Sequence, residues 1–240
     1  KYDNTTLKTV VIGDKVSSIG DNAFARCVSL ANINLPNSVS YIGFGVFSGC
    51  INLTSIDLPT SLYLLNYSVF SGCTNLARVN LALVTQIGEG AFSGCNIKEF
   101  TVSENNRVYS SLDGVLFNKD KTELVMYPKA KSSQKYVIPN SVTSVNDEAF
   151  GNCNNLASIT IGDNVARMNS LNIGTKLIEY IVTENNTNYS SLDGVLTDKN
   201  RTTIVAYPAG KGKRYIIPDG ITKIGTHSFF ACYPITYIHI

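Results

Sequence analysis

The 240-residue sequence has no tryptophan, only two methionines and two histidines, and no apolar run near the roughly 20 residues that a membrane-spanning helix needs. The histidines, His227 and His239, offer little material for imidazole catalysis, and neither stands beside a Ser or Cys nucleophile with an acidic partner in sequence. Charge is scarce as well: charged residues make up 16% of the chain, against about 25% in ordinary domains. Twenty basic and 18 acidic residues leave a net charge of +2, and the longest basic run is "KGKR" at 211–214. The electrostatic footprint of a nucleic-acid or anionic-membrane binder is therefore missing. Zinc would need C-x-x-C or comparable pairs, which are absent, so no metal and no cofactor is expected. The glycines of "IGFGVFSG" and "AGKGK" lack the order of a phosphate-binding loop. "LDG" at 112–114 and 192–194 supplies one Asp per copy where a calcium loop needs several, and reads as a turn before a strand.

What the chain does have is repetition. "AFARC" at 23–27, "VFSGC" at 46–50 and 69–73, "AFSGC" at 91–95, "AFGNC" at 149–153 and "SFFAC" at 228–232 place an aromatic ahead of a cysteine six times. The apolar residue leading into each corner, Ile19, Ile42, Leu65, Ile87, Val145, Met168 and Ile224, recurs at intervals of 23, 23, 22, 58, 23 and 56 residues. One coil thus takes about 23 residues, and something is inserted in the two long intervals. Within each coil a segment such as "LTSIDLP" alternates apolar and polar residues as a half-buried strand does. Its equivalents are "LKTVVIG", "LANINLP", "LARVNLA", "IKEFTVS", "LASITIG", "LIEYIVT" and "ITYIHI". A second short extended piece follows, then a compact corner expected to be one helical or 3₁₀ turn. A single coil cannot bury its own Leu, Ile and Phe, so the coils must stack.

Stacking assigns the six cysteines, Cys27, Cys50, Cys73, Cys95, Cys153 and Cys232, to one inward-facing column of small apolar side chains. Neighbours about 4.8 Å apart also lie within the Cα window for a disulfide, which stays open as the alternative. The long intervals carry related inserts beginning "ENNRVYSSLDGVLF" and "ENNTNYSSLDGVLT". In each, two apolar runs flank a turn-rich "NKDKTE" or "DKNRTT", which reads as a β-hairpin emerging from the coils. Such hairpins are either binding projections or tolerated decoration.

The pattern L-x-x-I-x-L-P-x-S-V-x-x-I-G-x-x-A-F-x-x-C, clearest in "LPNSVSYIGFGVFSGCINLTSIDLP" at 35–59, resembles the BspA-like leucine-rich repeat of surface proteins. The fold it implies is a β-rich α/β solenoid, a right-handed superhelix of 23-residue coils with two β-hairpin insertions. One domain over residues 1–240 is expected, with inserts at about 104–139 and 184–218. The resemblance further implies a non-enzymatic protein-interaction or adhesion module of a cell-surface or secreted protein; since terminal repeats need polar caps and neither end supplies an obvious one, a domain cut or processed from a longer chain is expected. The alternative is a passive spacer or targeting repeat attached to an effector elsewhere. The implied partner is a protein of host matrix, plasma or microbial surface, with a glycan as the other class; nucleic acid and membrane insertion are not expected.

In "LxxIxL" the third and fifth positions point away from the core. Stacked, they form one expected partner-binding face: Asn32, Asn34, Ser55, Asp57, Arg78, Asn80, Glu99, Thr101, Ser158, Thr160, Glu179, Ile181, Tyr237 and His239.

Overall fold

The structure is a computed structural model that describes residues 3–168 and 173–239. All eight L-x-x-I-x-L segments are strands, from Thr9–Val11 through Ser55–Asp57 to Tyr237–His239, with Ile240 of "ITYIHI" outside the described residues. Ile56, Val79 and Phe100 turn inward at the middle of their strands, while Asp57, Arg78 and Glu99 stay exposed; Ile238, the equivalent residue of Tyr237–His239, is 37% exposed. Pairing between coils is parallel and joins like position to like, for example Ile56 to Val79 and Val79 to Phe100. Each coil therefore covers the apolar residues of its neighbour, the source of stability in a repeat fold.

The chain divides into two compact units, Lys1–Lys119 and Asp120–Ile240. In the first, Thr9–Val11 pairs with Asn32–Asn34, and Ser55–Asp57 pairs with Arg78–Asn80 and then Glu99–Thr101. On the other side Ser18–Ile19 pairs with Tyr41–Ile42, and Leu64–Leu65 with Gln86–Ile87. In the second unit Lys135–Val137, Ser158–Ile161 and Glu179–Val182 form one parallel sheet, and Arg214–Ile216 with Tyr237–His239 another.

No helix is present among the described residues, so the α/β label is corrected to an all-β solenoid. The reason lies in the corner. In "NAFARC" the amides of Ala23, Ala25 and Cys27 bond back three residues to Gly20, Asn22 and Phe24. The intervening amides of Asn22, Phe24 and Arg26 instead donate to the carbonyls of Phe44, Val46 and Ser48 in the next coil. Half of the corner's donors thus run between coils, where a helix would keep them within one segment. Positive φ at Asn22 and Arg26, and at Gly45 and Gly49 one coil later, breaks any helical run twice in five residues. Gly94 shows why glycine suits the second of these places: its φ is +76°, and a Cβ there would lie 3.3 Å from the Gly72 backbone.

The corner's aromatic and thiol each have one task. Phe24, Phe47, Phe70 and Phe92 form a column of nearly parallel rings with centroids 5.8, 5.4 and 5.9 Å apart. Each thiol donates to the carbonyl of the aromatic in the preceding coil: Cys50 to Phe24 at 3.2 Å, Cys73 to Phe47 at 3.0 Å and Cys95 to Phe70 at 3.0 Å.

The inserts differ from expectation in two ways. The middle strands Val115–Asn118 and Val195–Asp198 are packed inside, with Val115, Leu116, Phe117, Val195 and Leu196 fully buried, so the inserts are not projections. Each also contains a disguised coil. Ile204 pairs with Ile224 just as Ile19 pairs with Ile42, which divides the 56-residue interval after Met168. Tyr207 then fills the aromatic slot: its ring stacks 5.3 Å from Phe229, its amide donates to Ser228, and its carbonyl accepts from the Cys232 thiol. Leu124 and Tyr127 repeat this arrangement with Val145, Phe150 and Cys153. The extra residues form a hairpin, Tyr189–Leu192 with Val195–Asp198, closed by the two-residue turn Asp193-Gly194 with positive φ at both positions. Tyr109–Leu112 and Val115–Asn118 do the same around Asp113-Gly114. The "LDG" turn is thus where it was expected, while the "YSSL" strand ahead of it was not read from the sequence.

Candidate interaction surfaces

The predicted face draws residues from both units. In the first unit Asn32, Asn34, Asp57, Arg78, Glu99 and Thr101 are exposed, and Ser55 and Asn80 half-buried. Arg78 lies opposite Ser55 on one side and Glu99 on the other. Asn80 is partly committed to its own chain, since its Oδ1 accepts the Ala82 amide at 3.0 Å. The ladder is interrupted between Asn32–Asn34 and Ser55–Asp57, which belong to different sheets.

In the second unit Ile181, Tyr237 and His239 are exposed, Thr160 and Glu179 half-buried, and Ser158 buried at 3% exposure. Ser158 departs from the expected outward position because its short side chain stands between the longer Lys135 and Glu179 of the flanking strands. Two strands missing from the sequence-based columns, Lys135–Val137 and Arg214–Ile216, add the exposed residues Val137, Arg214 and Ile216. Their signal, "KYVIP" and "KRYIIP", lacks the leading leucine of the repeat.

Arg214 changes the character of the last patch. Its guanidinium carbon lies 4.6 Å from the centre of the Tyr237 ring, to which its strand is paired. The Tyr237 ring is in turn parallel to that of His239, 6.5 Å away, and Ile216, 67% exposed, is the direct neighbour of His239. Of the four, Arg and Tyr are among the residue types enriched where binding energy concentrates at protein interfaces.

The remaining reactive groups are oriented inward. All six cysteines are free and buried. Burial pushes the Cys50 and Cys153 thiols up to about 12 and Cys232 up to about 11, while the hydrogen bond with Cys95, followed by burial, pushes Cys73 upward. A thiol held protonated in this way is a poor nucleophile. No group of three or more metal-ligating side chains occurs among the described residues. His227 is exposed at a corner, edge-on to Phe230 at 5.7 Å. A polar recess of about 460 Å³ is lined by Gln134, Asn155, Thr175 and Lys176.

Two buried asparagines anchor the inserts and carry no sequence motif that would have singled them out beyond the repeated "ENN". Asn106 Nδ2 donates to the carbonyls of Ala82 and Val84 at 3.1 and 2.8 Å, while its Oδ1 accepts the amides of Val108 and Tyr109 at 2.9 and 2.8 Å. Asn186 does the same with Gly162, Val165, Asn188 and Tyr189 at 2.7, 3.0, 2.8 and 2.7 Å.

Comparison with known proteins agrees with this architecture. A family model for the BspA type leucine rich repeat region matches residues 1–118 and 126–193, in six copies. The crystal structure of the pneumococcal vaccine antigen PcpA is similar over 93% of this chain with a TM-score of 0.67 and 25% identity. This chain spans 54% of that one, about half its length. A leucine-rich repeat protein from Eubacterium ventriosum is similar in fold, with a TM-score of 0.67, 22% identity and coverage of 99% of this chain and 68% of that one. A leucine rich cell surface protein from Faecalibacterium prausnitzii is similar in fold at a TM-score of 0.52, 23% identity and coverage of 97% and 79%. No match is found among curated proteins. With the family model covering most of its length, this chain belongs to the BspA-type leucine-rich repeat family.

Proposed function

We propose that the chain is a non-enzymatic protein-interaction module of a cell-surface or secreted protein, acting in adhesion to a host matrix, plasma or microbial surface protein. The observation that carries this reading is the patch of Arg214, Ile216, Tyr237 and His239, whose apolar and cationic groups face outward from a sheet that has no need of them for its own core. The similarity to a vaccine antigen and to a cell surface protein supports the location. A rigid solenoid suits the task because its interface is ordered before the partner arrives.

The test is surface plasmon resonance of the intact chain against immobilised matrix and plasma proteins, alongside the triple variant Arg214→Ala, Ile216→Thr, Tyr237→Ser. Loss of these contacts should weaken a specific complex by at least about tenfold. If no protein is bound, or the variant binds as well as the parent, the module reading fails and the spacer reading replaces it.

A further inference from the structure

The second surface lies on the opposite kind of strand, the short one that leads into each corner of the first unit. Counting from its inward residue, the second residue before and the second after are exposed in each of these coils, save the half-buried Thr85, and a repeat makes the comparison between coils direct. The first slot holds Ser17, Ser40, Thr85, Thr143 and Thr222, but Tyr63 in the third coil. The last slot holds Asp21, Glu89, Asp147 and Thr226, but Phe44 and Tyr67 in the second and third. With Tyr41 and Leu64 in the slot between, five large side chains crowd two adjacent coils. They are exposed by 48% (Tyr41), 49% (Phe44), 58% (Tyr63), 39% (Leu64) and 62% (Tyr67). Coil stacking is satisfied by the polar residues found elsewhere, so the fold supplies no reason for them; contiguous exposed aromatics of this kind mark interaction sites.

Their order is set by backbone bonds between coils: Asn22 donates to Phe44, Gly45 to Tyr67 and Ser68 to Glu89. Asp21, Phe44, Tyr67 and Glu89 therefore succeed one another along the stack. The four segments 17–22, 40–45, 63–68 and 85–90 contain no Lys, Arg or His, and their only charges are Asp21 and Glu89 at the two ends. Both carboxylates are exposed. Asp21 is held in place by the Phe44 amide, which donates to its Oδ1 at 3.0 Å. Three coil steps separate the two acids, about 14 Å.

We propose that this aromatic strip is a docking surface for an extended peptide segment, apolar or proline-rich in its centre and carrying one basic residue at each end. The rings of Phe44, Tyr63 and Tyr67 take the central residues, as aromatic grooves take polyproline II segments, and Asp21 and Glu89 take the two cations. At about 3.1 Å per residue the two basic positions fall about five residues apart. This surface is distinct from the Arg214 patch of the second unit, and either can fail without the other.

Fluorescence anisotropy of the intact chain with a fluorescein-labelled Lys-Pro-Leu-Pro-Leu-Lys peptide tests it. Saturable binding is expected, weakened at least about tenfold by the double variant Tyr63→Ser, Tyr67→Thr and about threefold by Glu89→Lys. The tyrosine replacements install residue types that other coils carry in the same slots, so the thermal transition should be kept; it is measured on each variant. The triple variant of the Arg214 patch should bind the peptide as the parent does. Four results overturn the proposal: no saturable binding, unchanged binding in the double variant, equal binding of the peptide with Glu in place of both Lys, or binding of neutral cellohexaose that the double variant abolishes, which assigns the strip to a glycan.

Discussion

Asn106 is one side chain that ties an insert to the coils before it, and its replacement should be felt at a distance. It is 1% exposed and makes four hydrogen bonds, two as donor and two as acceptor. In Asn106→Ala the amides of Val108 and Tyr109 and the carbonyl of Val84 lose this partner, while the Ala82 carbonyl keeps the Ser103 amide at 3.3 Å. Three groups at about 1 kcal/mol each give a cost of about 3 kcal/mol. Asn106→Asp is the sharper control: it preserves shape and acceptor but sets an oxygen against two carbonyls, and should cost at least as much. Because the units and coils need not unfold together, the decisive assay is native-state hydrogen exchange. The amides of Val108, Tyr109 and the strand Val115–Asn118 should exchange about a hundredfold faster in either variant, the rate ratio that 3 kcal/mol corresponds to, with urea unfolding shifted to lower concentration. Unchanged exchange at Val108 and Tyr109 in both variants would refute the reasoning, and the parallel Asn186→Ala supplies a second trial on the same geometry.

Phe70 stacks on both Phe47 and Phe92 and is fully buried, so Phe70→Ala should cost about 3–5 kcal/mol and lower the melting temperature clearly; a shift no larger than that of an exposed-residue control such as Tyr233→Ala would contradict the column's role. Asp198 accepts the Thr202 hydroxyl and the Thr202 and Thr203 amides, and although burial pushes its carboxyl up, these bonds hold it below the usual 3.8. Its folded value being depressed, its stabilisation is present above the unfolded value and is lost as pH falls through the folded one. The melting-temperature difference between the parent and Asp198→Asn should accordingly shrink as pH drops below about 4; a constant difference from neutral pH into acid would count against it. The thiols of Cys50, Cys73 and Cys95 should resist iodoacetamide at mildly alkaline pH in the native chain, and all six should react in urea, as read by mass spectrometry. Labelling of the native chain at free-cysteine rates would show that these coils open.

The tests rest on features that were legible to different degrees. The interval from Ile19 to Ile42 to Leu65 was enough to place every L-x-x-I-x-L strand, because a side chain buried once per coil must recur with the coil's period. The inward Phe and Cys columns followed from the same argument. The helical corner did not survive, since nothing in "AFSGC" announces that alternate amides will bond to another coil about 22 residues away. The coil hidden in each insert was missed because "AYP" and "MYP" offer a tyrosine where the repeat has phenylalanine and no cysteine after it.

By itself, then, the sequence determined which apolar residues of the regular coils face the core, since apolar periodicity is a local property that stacking merely repeats. Only the tertiary structure decided what each outward residue stands beside: Arg214 over Tyr237, Ser158 closed in by its neighbours, Phe44 and Tyr67 in line between two acids. Those relations join residues about 20 or more apart through the register of neighbouring coils, and register is set by backbone hydrogen bonds that no single coil contains.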